Sequence, residues 1–270
     1  MEFINLSSTA STLLITLCSR ANMSKKKLIL NDEKAEEIMQ LTGYSKKKLK
    51  LKQSYQIFLT IRAKLIDDYT KEFIAKHNGN CTIIQIACGL DSRYLRINDP
   101  RIKWYDLDLY GTMELRKKFY KQTSYYKMIE SNVCNFTWIN KIDDADLNKP
   151  TLIICEGLFM YLSEEDNRHI FEFLGKTFKK SEIIFDVFSP FVVKISKYIH
   201  TLKRTKASFK FGFKNPKTIE DFSPNFTHKK TFSYNKNAYI KELPFINRLQ
   251  RYRNKIFIDK SSRLEIYKIN

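Results

Sequence analysis

No stretch of this sequence approaches the ~20 consecutive apolar residues that a membrane-spanning helix needs. The nearest candidate, Leu13-Leu14-Ile15-Thr16-Leu17-Cys18, is far too short. It follows Glu2 and a Ser/Thr stretch rather than a basic segment, so it does not read as a secretory signal. The 5 cysteines (Cys18, Cys81, Cys88, Cys134, Cys155) are scattered, three of them in apolar runs that read as buried strands. With no C-x-x-C pair, neither a disulfide framework nor a thiolate metal site can be built from that spacing. A cytoplasmic chain with reduced thiols is expected. Internal repeats, low-complexity linkers and a clear domain boundary are also missing, so the 270 residues are expected to form one domain.

Arginine is scarce among the cations: the net charge is +19, yet only 12 of the 48 basic residues are arginine. The excess is also uneven, with 19 Lys and Arg against 5 Asp and Glu from Phe191 to the end. A nucleic-acid partner is the sharp reading of such asymmetry. The plainer reading is a lysine-rich bias spread over solvated faces, because the basic residues fall singly or in pairs.

What is present is a clear order of elements. Ile4 to Ala21 and Glu33 to Leu41 have helical spacing, and in Gln53 to Lys76 the apolar residues Ile57, Ile61, Leu65, Tyr69 and Phe73 recur every four positions. From residue 82 the pattern changes to short strand-like runs: 82–87, 102–107, 125–129, 151–155 and 182–188. Helix-like segments at 110–122 and from Ser163 to about Lys179 lie between them, the latter opened by the capping box Ser163-Glu164-Glu165-Asp166. A helix from Ser189-Pro190 to about Leu202 and strands at 227–234 and 264–269 complete the chain. Alternation of this kind predicts an α/β fold with a doubly wound, mostly parallel, Rossmann-like sheet behind an N-terminal helical cap.

In such sheets the ligand lies beyond the carboxyl ends of the strands. The residues there are Ala87-Cys88-Gly89-Leu90-Asp91-Ser92-Arg93, then Asp106-Leu107-Asp108, Ser131-Asn132-Val133 and Glu156-Gly157. Asp108 stands 19 residues beyond Gly89, the separation at which a carboxylate meets ribose hydroxyls. A G-x-G-x-x-G triplet is lacking, and Asp91 stands near where a phosphate would go. That disfavours NAD, FAD and ATP and suits a nucleoside without phosphate, S-adenosylmethionine (SAM) being the prominent one.

The ordered set I-A-C-G-L-D-S-R, W-Y-D-L-D-L-Y-G-T-M-E-L-R, C-E-G-L-F-M-Y-L-S-E-E and F-D-V-F-S-P resembles the leucine carboxyl methyltransferase family, especially its bacterial branch of polyketide-type O-methyltransferases. A weaker likeness extends to S-T-A-S-T-L-L-I-T-L-C-S-R near the start. The resemblance implies a class I SAM-dependent O-methyltransferase. Residues 1–80 would form its helical cap, 81–190 the cofactor-binding core, and 191–270 a basic part completing the sheet and the acceptor pocket.

The resemblance also implies roles. Gly89 and Ala87 form the turn beside the methionine part of SAM, with Ala87 in the place of a usual glycine. Asp108 is the ribose acid, and Asn132-Val133 replaces the family's Asp-hydrophobic pair at the adenine. Glu156 lies by the methionine amino group and sulfonium, and Arg62 pairs with the methionine carboxylate, for which Arg20 is a second candidate. Glu156 and Tyr161 are the candidate catalytic side chains, though Tyr161 could simply pack. Asp91 and Arg93 are expected to brace the loop by pairing, and His77, His169, His200 and His228 to be spectators.

Methyl transfer from a sulfonium is an in-line displacement in which alignment supplies effective molarities of ~10⁵ M or more. An acceptor carboxylate, with a pKa near ~4, needs no general base, whereas a phenol near ~10 gains from one. No histidine or lysine is tied to a motif, which tilts the reading toward a carboxylate or an acidic hydroxyl on a small molecule. Two rivals remain: a nucleic-acid methyltransferase using the basic last third, and a non-catalytic SAM-binding protein.

Overall fold

Two five-residue runs, Thr82–Ile86 (β1) and Thr151–Cys155 (β4), are buried at every position and lie side by side in parallel. Apolar side chains on both faces suit the middle of a covered sheet, and these strands form it. The computed structural model describes residues 10–42, 49, 51–196, 208–234, 238–245 and 261–270. Within them, Lys103–Asp108 (β2) and Tyr126–Glu130 (β3) extend the sheet from β1. Ser181–Phe188 (β5), Ser262–Ile269 (β7) and Phe226–Phe232 (β6) extend it from β4, giving the order β3-β2-β1-β4-β5-β7-β6. Pairs from β3 through β5 are parallel, and β7 runs antiparallel to both its neighbours. The predicted doubly wound, mostly parallel α/β sheet is therefore present. Its strand order reverses between β1 and β4.

Successive strand residues face opposite layers, as a pleated strand requires. Ile83, Trp104, Leu152, Ile154 and Ile184 pack with three N-terminal helices, Ala10–Lys25 (α1), Glu33–Thr42 (α2) and Gln53–Lys76 (α3). Ile84, Tyr105, Ile153, Ile183 and Phe185 pack on the other face with Ile170, Phe171 and Leu174 of the helix Glu164–Thr177 and with the short helix Lys217–Phe222. The N-terminal helices thus share a core with the sheet. Each fully buried Ile, Leu or Phe of α3 contributes roughly 1.5–3 kcal/mol.

The capping box forms as its spacing predicts: Ser163 Oγ accepts the Asp166 N–H, and the Asp166 carboxylate accepts the Ser163 N–H. Arg93–Ile97 (α4) has no counterpart in the sequence reading, because five residues are too few to show a period. The helix after β2 (Tyr110–Lys117, α5) stops short of Gln122. Tyr120 turns inward there, donating to the Leu90 carbonyl at 3.2 Å with its ring against Arg116. The strand at 227–234 ends at Phe232. Positions 4–9 of the first expected helix, 197–202 of the helix after Pro190, and His200 lie outside the described residues, as do Arg204, Arg248, Arg251 and Arg253 of the basic last third. No described helix is long and apolar enough to cross a membrane.

Candidate active site

A cavity of about 410 Å³ opens beyond the carboxyl ends of β1, β2 and β4, at the point where strand order reverses. Arg20, Arg62, Ala87, Gly89, Asp108, Glu156 and Tyr161 all line it. Asn132 and Val133 do not. Asn132 is exposed and spends its Oδ1 on the Cys134 N–H at 3.0 Å, while Val133 is buried in the core with Trp138. The four-turn assembly expected from the motifs is reduced, for this cavity, to three turns plus the helical layer.

The glycine turn is held from below. Ala87 and Gly89 both have φ near +55°, a region where a Cβ costs about 1 kcal/mol or more and glycine is favoured. At Gly89 a Cβ would also stand 2.9 Å from Leu13 Cδ2 of α1. The Gly89 carbonyl accepts from Arg116 Nη1 at 2.9 Å. Arg116 is fully buried and paired with Asp106, which also accepts from Tyr126 and from Trp104 Nε1, each at 2.8 Å. The two acids of Asp106-Leu107-Asp108 are therefore divided: the first is locked in the core, and the second reaches the cavity.

Asp108 accepts the Gly89 N–H at 2.8 Å on one oxygen and the Leu109 N–H at 2.7 Å on the other. A carboxylate offers about four acceptor positions, so Asp108 keeps acceptor capacity for a ribose hydroxyl beside these bonds. Burial pushes the Asp108 carboxyl up, more than its hydrogen bonds from Gly89, Leu109 and Thr112 pull it down.

At the other side of the turn lies a web of four arginines and five acids. Arg62 on α3 reaches Glu156 at 2.9 Å and Asp186 on β5 at 2.7 Å. Arg93 reaches Asp67 at 2.7 Å, Asp91 at 2.8 Å and Glu156 at 2.6 Å. Arg96 bridges Asp67, Asp32 and Asp91 at 2.7–2.9 Å. Arg20 on α1 binds Asp32 at 2.8 Å and stands 3.5 Å from Asp91. Asp32 ties the web to the start of α2, accepting the Ala35 N–H at 3.0 Å and the Ser92 hydroxyl. Burial alone would raise these carboxyls, but the surrounding guanidinium groups hold Asp91 well below its ordinary value and lower Asp32 and Glu156. Asp186 is raised, because burial there outweighs Arg62. It also accepts the Gly157 N–H at 2.6 Å, fixing a turn with φ +71° at that glycine.

The remaining wall is apolar. Phe58 and Tyr55 come from α3, Phe188 from the end of β5, Met160 and Tyr161 from the turn after β4, and Phe209 from the segment 208–213. Phe209 stacks on Phe188 at 5.1 Å and meets Tyr161 edge-on at 5.2 Å. The Lys210 N–H donates to the Met160 carbonyl at 2.7 Å and the Phe213 N–H to the Phe188 carbonyl at 2.9 Å, so both sides of the slot are tied together. Burial raises the hydroxyl pKa of Tyr55 and Tyr161 above the ordinary phenol value.

Sequence reasoning missed Asp186, Asp67, Arg96 and Phe209 as parts of this site. Asp186 had a signal, a charge inside the apolar run of β5, and Phe209 had none. His77, His169 and His228 are not among the lining residues.

The donors and acceptors fit an adenosine with a methionine tail. Asp108 offers an acceptor to a ribose hydroxyl, the acids Asp91 and Glu156 beside the turn repel a phosphate, and one end of the cavity offers carboxylate and guanidinium together. Four guanidinium groups against five carboxylates leave the web short of one positive charge. SAM, with its sulfonium, ammonium and carboxylate, carries one.

Fold and site define the class: a SAM-dependent O-methyltransferase. The leucine carboxyl methyltransferase family model matches residues 13–175, more than half the chain, and the chain belongs to that family. It is 30% identical over 234 residues to the tetracenomycin polyketide synthesis O-methyltransferase TcmP of Streptomyces glaucescens, covering 86% of this chain and 85% of that protein. It is 25% identical over 247 residues to the S-adenosyl-L-methionine-dependent methyltransferase dpfgK of Gibberella zeae, covering 84% of this chain and 82% of that one. Among solved structures, a methyltransferase of Thermobifida fusca superposes with a TM-score of 0.60 at 12% identity, over 93% of this chain and 94% of its own.

Proposed function

We propose that the methyl acceptor is a small molecule carrying a carboxylate on an apolar, ring-bearing body, and that the oxygen methylated belongs to that carboxylate. The observation that carries this reading is the protonic poverty of the cavity. Among its described lining residues there is neither histidine nor lysine. Glu156 is held ionised by two arginines, which makes it a weak base, and the two tyrosines titrate above the ordinary phenol range. A carboxylate is already ionised at neutral pH and needs none of them. The association of TcmP with a polyketide supports an acceptor of this size.

SAM supplies a methyl group on sulfonium, transferable by in-line displacement. The chain's part is to bind, align and keep water away. In this reading Asp108 receives a ribose hydroxyl and Glu156 the methionine ammonium. Arg20 takes the methionine carboxylate more readily than Arg62, since Arg20 has one close acid partner and Arg62 has two. The wall of Tyr55, Phe58, Tyr161, Phe188 and Phe209 encloses the acceptor, with Tyr161 as a wall residue and not a base. Excluding water from such a wall strengthens every charge interaction inside it.

The test is the lability of the product. Methyl-labelled SAM is incubated with paired panels of aryl carboxylic acids and phenols, and the products are treated with mild alkali. Methyl esters release volatile labelled methanol, and methyl ethers do not. Label that accumulates on phenols in alkali-stable form would sink the carboxylate reading.

A further inference from the structure

Glu156 lines the cavity but owes its orientation to residues on two other elements. One oxygen faces Arg62 Nε and Nη2, each at 2.9 Å, and the other accepts from Arg93 Nη2 at 2.6 Å. Each oxygen thus accepts one hydrogen bond, from Arg62 Nε and from Arg93 Nη2, and each keeps a further acceptor position. Arg93 itself is completely buried and does not line the cavity. Its other nitrogens reach Asp67 on α3 and Asp91 in the glycine loop. One guanidinium therefore sets the spacing between the loop after β1 and the turn after β4, the two turns that must face the same end of a ligand.

We propose that Arg93 is a positioning residue for cofactor recognition: by clamping one oxygen of Glu156 from behind, it aims the carboxylate at the methionine ammonium. This rests on the SAM-binding reading above and extends it to a residue that never touches the ligand. A planar fork with three acid partners does what a lysine cannot, since an ammonium is a point charge without fixed donor directions. The groups facing Glu156 are Arg62 from α3, Arg93 from α4, Arg20 from α1, Asp91 from the glycine loop, Asp186 from β5 and Tyr234 just after β6. Of these, Arg62 and Arg93 touch it. Removing Arg93 takes away one of the two cations that touch Glu156 and leaves Asp91 with Arg96 and Arg20 alone, and both changes move Glu156 toward its protonated form.

The experiment measures S-adenosylhomocysteine binding by calorimetry between about pH 4 and 8 in the full chain, with thermal melting in the same buffers. The variants are R93Q and R93K, with R96Q as the comparison, because Arg96 belongs to the same web but does not touch Glu156. R93Q should weaken binding about tenfold at neutral pH. The pH at which binding is lost should rise by about one unit, as expected when an adjacent opposite charge is removed. R93K should retain the wild-type pH midpoint while still binding more weakly, and R96Q should keep the wild-type midpoint. A midpoint unchanged in R93Q, or shifted equally in R96Q, would reduce Arg93 to a structural brace and overturn the proposal. If R93Q fails to fold, R93K decides, since wild-type affinity there would show that the fork is not needed. A wild-type protein that binds no cofactor would instead overturn the reading of the whole site, before any variant is compared.

Discussion

The two ends of the cavity are built on opposite plans. The charged end is made of side chains held by protein partners: Glu156, Asp91 and Asp108 each face two or more donors from the chain itself. The aromatic end is made of rings from four separated places, fixed by stacking and by backbone hydrogen bonds from the segment at 208–213. Preorganised charge suits a ligand that never changes, and a wall of rings suits one that a small change of shape can replace. The charged end lies almost wholly within residues 13–175, where the family model matches, whereas Phe188 and Phe209 lie beyond it.

The contrast can be broken most forcefully under the glycine turn. Asp106→Ala strands the buried Arg116 and should cost about 3–5 kcal/mol of stability, read from urea unfolding. Acid should separate fold from binding. Asp32, Asp91 and Glu156 titrate below ordinary carboxylate values when folded. Their contribution to stability is therefore complete above about pH 5 and is lost as pH falls through their folded values. Each tenfold difference in proton affinity between the folded and unfolded chain is worth about 1.4 kcal/mol per group. Asp108 has the opposite sign, taking up its proton above the ordinary aspartate value. Cofactor affinity should therefore fade during acidification before the circular-dichroism signal of the fold does. Loss of both at one pH would show that the two ends are not independent.

Asp108→Ala should weaken SAM binding by about 1–3 kcal/mol in calorimetry. Phe209→Ala should leave SAM affinity unchanged and raise the acceptor KM by about tenfold, the loss of a ring contact of about 1–1.5 kcal/mol. If SAM affinity fell equally in that variant, the division of the cavity into two ends would be wrong. The smallest effect is Ala87→Gly: relief of the φ of 55° is offset by a more flexible unfolded chain, for a net gain under about 1 kcal/mol in thermal unfolding.

The same division explains what could be read in the sequence. β1 and β4 are legible because both faces are buried and the runs are continuously apolar, and the turns after them carry acids and glycine at fixed spacing. The partners of those acids are legible only in part. Asp67 sits in a helix whose periodicity accounts for its neighbours but not for it, Arg96 sits in a helix too short to show a period, and the pairing of Arg62 with Asp186 spans 124 residues. Asn132 is assigned to the adenine by analogy of position alone, and its short side chain closes a local turn instead, a use that Asn makes of any free backbone N–H nearby. Phe209 is one phenylalanine among 20 in the chain, and nothing in its neighbours marks it.

Asp32 gives the N-terminal helices a share in the chemistry. It closes the first turn of α2 while gathering Arg20 from α1 and Ser92 and Arg96 from the connection between β1 and β2. A transplanted sheet without those helices would lose Arg20 and Arg62 and leave Glu156, Asp186 and Asp91 with two guanidinium groups among three carboxylates. The helices and the receptor are thus inherited together, and novelty in this architecture has to enter through the opposite wall.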